Sequence, residues 1–452
     1  MDSTIASQPL DLVGVGVGPF NLGLASLLQP VDSIKSRFFE AKEHFEWHGG
    51  LLMEDCTLQV PFLADLVSMV DPCNRLSYLN YLHQHGRMYQ FYFHEKFHIP
   101  RVDYNRYCRW ASEQLPGIQF SQHVLGVTRR GSLFEVETKD TISGAVEKCL
   151  ARNIVVGVGT TPSWPAAARD YQRDPNCIHS ASYLLNKKRL QEKKSITVIG
   201  SGQSAAEVLL DLLREQPQHG YELNWLSRSN GFLPMEYSKL GLEHFSPDYT
   251  EHFHRLPEAK RNTILAGQGN WYKGISFSTI AEIYDELYRR SVVERARATL
   301  QCRSDLRSMA PTNEGYRLSF QHLELDTAFD VLSEAVVLST GYQYSFPRCL
   351  TPLRDQIRKD LVGRPIVRRD YSLEMESEDS GRIFMQNGEM HTHGISAPDL
   401  GLGAHRSATI INSVLGREQY RVSNHNVFQT FGISDKWRTS SAKNPEAVHI
   451  LQ

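Results

Sequence analysis

The chain has 452 residues, of which 41% are hydrophobic and 22% charged, and its formal net charge is −2. This length exceeds what one compact core usually holds, so we expect about two or three domains. The near-neutral charge argues against a nucleic-acid partner, and no apolar run reaches the roughly 18 residues of a membrane span. The seven cysteines are scattered without a CxxC pair, and no signal peptide is evident, so we expect a reduced, cytoplasmic protein.

The first predicted element is a buried strand that leads into a glycine turn. Residues 10–13 are followed by GVGVGPF and by the apolar run NLGLASLL. Glycines at such a turn let backbone N–H groups approach a pyrophosphate at the start of a helix. About twenty residues later, RFFE predicts a second strand whose terminal acid would accept hydrogen bonds from a ribose diol. The predicted nucleotide contacts are Gly14, Gly16, Gly18, Pro19, Phe20 and Glu40.

A second strand, turn and helix begin at residue 195. The strand SITVI leads into GSGQSAAEVLLDLL, which has Ala205 where the third glycine of the fingerprint would stand. The next strand, residues 222–226, is followed by Ser-Arg-Ser and not by an acid. An arginine flanked by hydroxyls suits a 2′-phosphate, so NADPH is favoured over NADH. The predicted contacts are Gly200, Gly202, Gln203, Ser204 and Arg228.

The order of these elements predicts an α/β protein with two Rossmann-like dinucleotide-binding domains and a small, mainly helical substrate region. Residues 1–165 are assigned to the first part of the first dinucleotide-binding domain, and residues 190–334 to the NADPH domain with a helical insertion at about 235–295. Residues 335–452 are assigned to the return of the first domain and a C-terminal arm. The return is predicted from the strand AVVLST, which ends in a turn at Gly341, a further contact to the same nucleotide as Gly14.

Two nucleotide sites in one chain indicate that electrons pass from a nicotinamide to a bound flavin. A disulfide reductase is disfavoured, because the sequence has no redox CxxC pair. Oxygen is therefore the favoured acceptor of the flavin electrons. An NADPH oxidase or electron-transfer flavoprotein remains an alternative class. A Baeyer–Villiger or sulfur-oxygenating enzyme is disfavoured, because no FxGxxxHxxxW signature is present. His391 and His393 have no obvious third ligand, so no metal site is predicted.

Segments along nearly the whole chain resemble one family. They are FEWHGGLLM (45–53), LQVPFLADL (58–66), SYLNYL (77–82), YNRYCRW (104–110), GSGQSAAE, STGY (339–342), THGI (392–395) and RSA (406–408). In this order they resemble the N-hydroxylating flavin monooxygenases of siderophore biosynthesis, which act on lysine, ornithine or diamines. The resemblance implies that FAD, NADPH and O₂ hydroxylate a neutral primary amine, and that NADP⁺ stays bound meanwhile.

The resemblance also implies particular site residues. Trp47, His48, Met53 and Gln59 match the flavin-lining segment of the family, and Gln59 is expected at the isoalloxazine edge as the one catalytic candidate. No acid–base triad is needed, because the flavin carries the difficult chemistry. Relatives are often tetramers or dimers, so a homo-oligomer is expected. The predicted partner is a small amine, with neither nucleic acid nor membrane involved.

The substrate is predicted from departures from the family pattern. Relatives that take amino acids hold the substrate carboxylate with a lysine in an FLKDL-like pattern, and here Ala64 stands in FLADL. Two asparagines of the ornithine enzymes match Leu242 and Trp271, with Asn270 one step away, and a serine becomes Gly401.

An unpaired buried carboxylate would be unfavourable, so the substrate is expected to lack one. Putrescine or cadaverine is favoured, with histamine, lysine or ornithine as alternatives. The distal ammonium of a diamine would need an acid, for which Asp399 is the first candidate and Glu243 the second.

Overall fold

The computed structural model describes residues 8–377, 381–423 and 425–437. The strands within these ranges are β1 (Leu10–Val15), β2 (Ser36–Phe39), β3 (Ile118–Gln119), β4 (Gln122–Arg130), β5 (Leu133–Asp140), β6 (Val146–Val156), β7 (Thr161–Pro162), β8 (Cys177–His179), β9 (Ser195–Ile199), β10 (Glu222–Leu226), β11 (Ala298–Gln301), β12 (Ser304–Thr312), β13 (Gly315–His322), β14 (Thr327–Ser333), β15 (Ala335–Leu338), β16 (Tyr342–Gln343) and β17 (Ile383–Met385).

The α-helices of the same ranges are α1 (Pro19–Leu28), α2 (Tyr78–Gln84), α3 (Met88–His94), α4 (Arg101–Glu113), α5 (Tyr183–Gln191), α6 (Gln203–His219), α7 (Lys239–Leu242), α8 (Pro247–His254), α9 (Glu258–Gly267), α10 (Gly269–Lys273), α11 (Phe277–Ser291), α12 (Met390–His393) and α13 (Gly403–Leu415). None of the helices in the described ranges is long and apolar enough to cross a bilayer.

The first sheet has the strand order β3-β2-β1-β6-β5-β4, and β17 pairs with β6. Strands β2, β1, β6 and β17 run parallel, with Val13 opposite Arg37 on one side and Ile154 on the other. Helices α1, α4 and α13 cover one face and share an apolar core with it. Leu12, Val13 and Val15 of β1 are buried, as the parallel arrangement between two layers requires.

The second sheet is parallel throughout and has the order β11-β10-β9-β15-β8. Helices α5, α6 and α11 pack against it around a separate apolar core. An antiparallel sheet of β12, β13 and β14 adjoins it. Helices α7 to α11 lie between β10 and β11 in the chain. The predicted α/β class with two Rossmann-like folds is confirmed.

Two of the predicted domain limits differ from the structure. Strand β15, which was expected to return the chain to the first fold at residue 335, lies in the second sheet between β9 and β8. The chain returns to the first sheet at β17 instead. The second sheet also takes in β8, before the predicted start at residue 190. A short apolar strand has the same pattern in either parallel sheet, so only its hydrogen-bond partners distinguish the two.

Candidate active site

The first glycine turn is packed too closely to admit side chains at two of its positions. A Cβ atom at Gly14 would lie 2.0 Å from Cδ1 of Phe38 on β2. Gly16 has φ +82°, and a Cβ there would lie 2.9 Å from the carbonyl oxygen of Gly157. This left-handed conformation and these short distances explain the glycines without any ligand.

The third glycine, by contrast, faces open space. Gly18 is the N-cap of α1, and a Cβ built there would have no atom within 4 Å. Pro19 occupies the first helical position, where its missing N–H is not required. The Glu40 carboxylate lies beside the turn, because its Oε2 accepts a hydrogen bond from the Val17 N–H at 2.7 Å. An open helix N-terminus beside a carboxylate fits the pyrophosphate and ribose of FAD.

Helix α13 lies close to the start of α1. The Arg406 guanidinium stacks over the Phe20 ring at 4.6 Å, and its Nη1 lies 3.1 Å from Oε1 of Glu389. Both charged groups are buried, and the geometry makes an ion pair but not a hydrogen bond. The Ser407 hydroxyl is buried without a hydrogen-bond partner among the described residues. Gly341 has φ +79° and faces open space. Free hydroxyl and open backbone positions are features that a polar cofactor can satisfy.

The predicted flavin-lining segment forms a loop that carries two adjacent rings. The backbone N–H of Trp47 donates to Oδ1 of Asn105 at 2.8 Å, and the Trp47 ring meets that of Tyr104 edge-on at 5.4 Å. His48 is left-handed, with φ 53°, and its ring lies 4.7 Å from Trp47 and 5.7 Å from Tyr342. The loop is therefore held by specific contacts with α4 and with the strand that follows Gly341.

Arg101, the first residue of α4, connects this loop to the second domain. Arg101 donates through Nη1 to the carbonyl of Leu51 at 3.0 Å, and through Nη2 to Oε1 of Glu207 at 2.7 Å. Glu207 is buried in α6, the helix that starts at the second glycine turn. Met53, at the end of the loop, is buried against the core of the second domain. These contacts set the distance between the flavin-lining loop and α6.

The second glycine turn also excludes side chains. Gly200 has φ +146°, and a Cβ there would lie 2.1 Å from the carbonyl oxygen of Ser339. Gly202 is the N-cap of α6 in an extended conformation. The amide of Gln203 is engaged by the protein: Nε2 donates to Glu207 at 2.9 Å, and Oε1 accepts from the Ser276 N–H at 2.7 Å. Gln203 therefore joins the turn to the start of α11.

Arg228 is placed beside this turn. The hydroxyls of Ser201 and Ser229 lie 2.6 Å apart, which brings the segment after β10 against the glycines. The Arg228 side chain is exposed and forms no hydrogen bond or ion pair with the described part of the chain. Ser204 is half-buried in the first turn of α6. A free guanidinium next to a helix N-terminus suits the 2′-phosphate of NADPH.

Gln59 is hydrogen-bonded to Tyr237, a residue that the sequence analysis missed, and the charge of Asp399 acts on the same tyrosine. The Tyr237 hydroxyl donates to the carbonyl of Gln59 at 3.0 Å, and burial together with nearby Asp399 raises the pKa of Tyr237 to about 12. Nε2 of Gln59 lies 3.8 Å from Sδ of Met235. Tyr237 stands in an irregular segment outside any motif, so no sequence pattern indicates it.

The other substrate candidates occupy different surroundings. Ala64 is buried in a turn, where its N–H donates to the carbonyl of Pro61 at 2.9 Å. Leu242 ends α7, and Asn270 is exposed on α10. The Glu243 carboxylate accepts hydrogen bonds from the C-terminal segment, including the Phe428 N–H at 3.0 Å. In this structure the Glu243 carboxylate is therefore engaged by the C-terminal segment.

The two histidines considered for a metal are engaged in other contacts. Nε2 of His391 lies 2.8 Å from the carbonyl oxygen of Pro365, and Nδ1 of His393 lies 2.8 Å from the hydroxyl of Thr392. Across the described ranges, no group of three or more His, Cys, Asp or Glu could hold a metal ion.

Comparisons with known proteins agree with this geometry. The family model for L-lysine 6-monooxygenase/L-ornithine 5-monooxygenase matches residues 8–344. A putrescine N-hydroxylase of Shewanella oneidensis is 44% identical over 93% of this chain and 84% of its own. The rhizobactin siderophore biosynthesis protein RhbE of Rhizobium meliloti is 45% identical over 94% of this chain and 95% of its own.

A solved structure is similar along almost its whole length. The FAD-bound cadaverine monooxygenase DfoA of Erwinia amylovora matches with a TM-score of 0.91 and 40% identity, over 95% of this chain and 99% of that one. The predictions of a flavin monooxygenase and of FAD and NADPH as its cofactors are confirmed. On the family match, the glycine turns and the extent of these similarities, the chain belongs to the L-lysine 6-monooxygenase/L-ornithine 5-monooxygenase family.

Proposed function

We propose that this enzyme hydroxylates one amino group of an aliphatic diamine, putrescine or cadaverine, for hydroxamate siderophore biosynthesis. One oxygen atom of O₂ forms the new N–O bond, and the other leaves as water with the two electrons that NADPH supplies. Bound FAD, once reduced, provides the oxygen activation. The remaining steps concern how this chain binds and orients the amine.

The observation that carries the proposal is the Asp399 carboxylate, whose charge acts on Tyr237, the residue that binds the Gln59 carbonyl. Burial raises the pKa of Asp399 to about 6, an effect that the Gly401 N–H and the charge of Arg406 oppose only in part. The group is half-buried and has no ion-pair partner in the described part of the chain. At neutral pH it is ionised, so a distal ammonium would supply the missing counter-charge.

Ala64 supports the same substrate class, because it argues against a substrate that carries an α-carboxylate. Amino-acid substrates need a cation for their α-carboxylate, and at the position where the family's amino-acid enzymes have lysine this chain has a buried methyl group. A carboxylate brought to this position would lose its hydration without gaining a charged partner. The amine-hydroxylating relatives act, by their names, on putrescine and cadaverine, which are both aliphatic diamines.

In this proposal the residues near the flavin have separate tasks. Asp399 holds the distal ammonium, and Tyr237 orients the Gln59 backbone beside it. The adjacent rings of Trp47 and His48 would cover the bound flavin and limit the entry of water. Gln59 would contact the isoalloxazine edge, and Arg228 would bind the 2′-phosphate of NADPH. The reacting amine must be neutral so that its lone pair can accept oxygen.

The test is product formation on a panel of putrescine, cadaverine, histamine, lysine and ornithine, measured by mass spectrometry. We expect a single added oxygen on the diamines, with hydroxylamine formed in near-equal amount to the NADPH consumed. Release of peroxide with no hydroxylated amine would instead indicate an NADPH oxidase. Efficient hydroxylation of lysine or ornithine by the unaltered enzyme would refute the argument from Ala64.

The location and assembly of the enzyme form part of the same proposal. All seven cysteines are free in the structure, which suits a reducing cytoplasm. A homo-oligomer, either a tetramer or a dimer, is expected from the family resemblance. Light scattering on the purified flavoprotein distinguishes these states, and a monomeric mass would contradict the expectation.

A further inference from the structure

The segment 425–432, which we call the C-terminal strap, binds the helices that follow Tyr237. Glu243, directly after α7, accepts the N–H of Phe428 on Oε1 at 3.0 Å. Its Oε2 accepts the N–H of Gln429 at 3.0 Å and the Gln429 Nε2 at 2.9 Å. These hydrogen bonds lower the pKa of Glu243, so the carboxylate stays charged. Glu243, the second of the two acids proposed from the sequence to meet a diamine, is thus an anchor of the strap.

Two further contacts connect the strap to α8. Nδ2 of Asn426 donates to Oδ2 of Asp248 at 2.7 Å. The Phe431 ring is partly buried, and its centroid lies 4.9 Å from those of both Tyr249 and His244. Aromatic contacts at this separation stabilise packing beyond the area that they bury. The strap therefore contributes a side chain to the small apolar core of the helical region.

Helix α8 in turn packs on the loop that ends at Asp399. The hydroxyls of Thr250 and Ser396 lie 2.7 Å apart in a buried contact. Gly394 has φ +81°, and a Cβ there would lie 3.3 Å from the Phe253 ring. A continuous set of contacts thus runs from the strap through α8 to the backbone three residues before Asp399.

We propose that the C-terminal strap is a positioning element of the amine site and that Phe431 is its principal positioning residue. The inference rests on the proposed function, because it assigns Asp399 to the distal ammonium. By holding α8 against the 394–399 loop, the strap sets how far Asp399 lies from the reacting nitrogen. It thereby determines which diamine length the site prefers.

The discrimination between diamines is sensitive to such positioning. One methylene in an apolar pocket changes specificity by about 10- to 200-fold when the pocket is rigid. A loop that loses a packing contact can shift and accept both lengths. Loss of the strap should therefore reduce selectivity between four- and five-carbon diamines more than it reduces turnover.

The experiment compares Phe431→Ala with Phe428→Ala in the full-length holoenzyme. The Phe428 ring is 98% exposed and belongs to the same segment, so it is a matched control. For Phe431→Ala we expect about a fivefold or greater change in the putrescine-to-cadaverine ratio of kcat/KM, mostly through KM. FAD content and the rate of flavin reduction by NADPH without amine should stay unchanged. Phe428→Ala should match the unaltered enzyme in all measurements.

A second variant keeps the test decisive if Phe431→Ala folds poorly. Glu243→Gln would place an NH₂ group against one backbone N–H of the strap, and we expect its ratio to change in the same direction. An unchanged ratio in flavin-replete Glu243→Gln or Phe431→Ala overturns the inference, as does an equal change in Phe428→Ala. If the unaltered enzyme hydroxylates no diamine, the proposed function fails instead, so the two failures are distinguishable.

Discussion

The two glycine turns and the amine region position polar groups in different ways. In each turn, one short continuous segment places the backbone groups. Glycines with positive φ, such as Gly16 and Gly200, allow close contacts that a residue with a side chain would not permit. In the amine region, Gln59, Tyr237 and Asp399 come from three distant parts of the chain. The comparison indicates that the geometry of the two turns follows local sequence rules, whereas the arrangement of Gln59, Tyr237 and Asp399 depends on how distant segments pack.

The largest effect is expected from Gly18→Ala, which separates folding from FAD binding. A Cβ at Gly18 meets no protein atom within 4 Å, so the fold should be retained. It would occupy the space through which the backbone approaches the pyrophosphate, so we expect FAD affinity to fall about 100-fold or more. Absorbance of bound flavin and the Tm of the apoprotein measure the two effects. Gly126→Ala, also without close neighbours, is the control, and full FAD content in Gly18→Ala would contradict this assignment.

The next effect concerns the second turn. Arg228→Ala removes a free guanidinium, and a hydrogen bond to a charged group contributes about 1.5–3 kcal/mol. We therefore expect the KM for NADPH to rise about 10- to 100-fold while the KM for NADH stays nearly constant. Steady-state oxidation of both nucleotides measures the difference. Equal changes for the two would show that the guanidinium does not contact the 2′-phosphate.

A smaller effect is expected in the amine region from Asp399→Asn. Asparagine can still accept the Gly401 N–H that the aspartate accepts at 2.7 Å, so the local turn should persist. The charge is lost, and the KM for putrescine or cadaverine should rise about tenfold, equivalent to roughly 1.4 kcal/mol. A monoamine of equal length lacks the distal ammonium and serves as the control substrate. If its KM rises as much, Asp399 does not bind the ammonium.

The smallest effect is a pH dependence that belongs to the amine region alone. With a pKa of about 6, Asp399 is protonated below that pH and ionised above it. The KM for a diamine should therefore fall as pH rises through about 6, since only the carboxylate binds the ammonium. In Asp399→Asn this limb should disappear, whereas the dependence that arises from deprotonation of the reacting amine remains. Identical pH profiles of KM for the unaltered enzyme and Asp399→Asn would contradict the assignment of the distal ammonium to Asp399.

The position of a candidate site residue could be predicted from the sequence wherever one strand, its turn and the following helix fix that position. The strand before Gly14, the open start of α1 and the acid at Glu40 all follow from local pattern, and the structure places them side by side. Arg228 lies beside its turn for the same reason, because a parallel strand ends at the same sheet edge as its neighbour. By contrast, β15 could not be assigned to its sheet, since its pattern fits both.

The sequence by itself determined that the chain has two nucleotide-binding folds and which family it resembles. It also showed that alanine, and not lysine, stands at position 64. Only the tertiary structure decided the surroundings of the two acids. Asp399 and Glu243 are both acids near irregular segments, but packing leaves Asp399 half-buried beside Tyr237 and brings the C-terminal strap onto Glu243. The physical reason is that hydrogen-bond partners across more than a hundred residues depend on how helices pack, which no local spacing encodes.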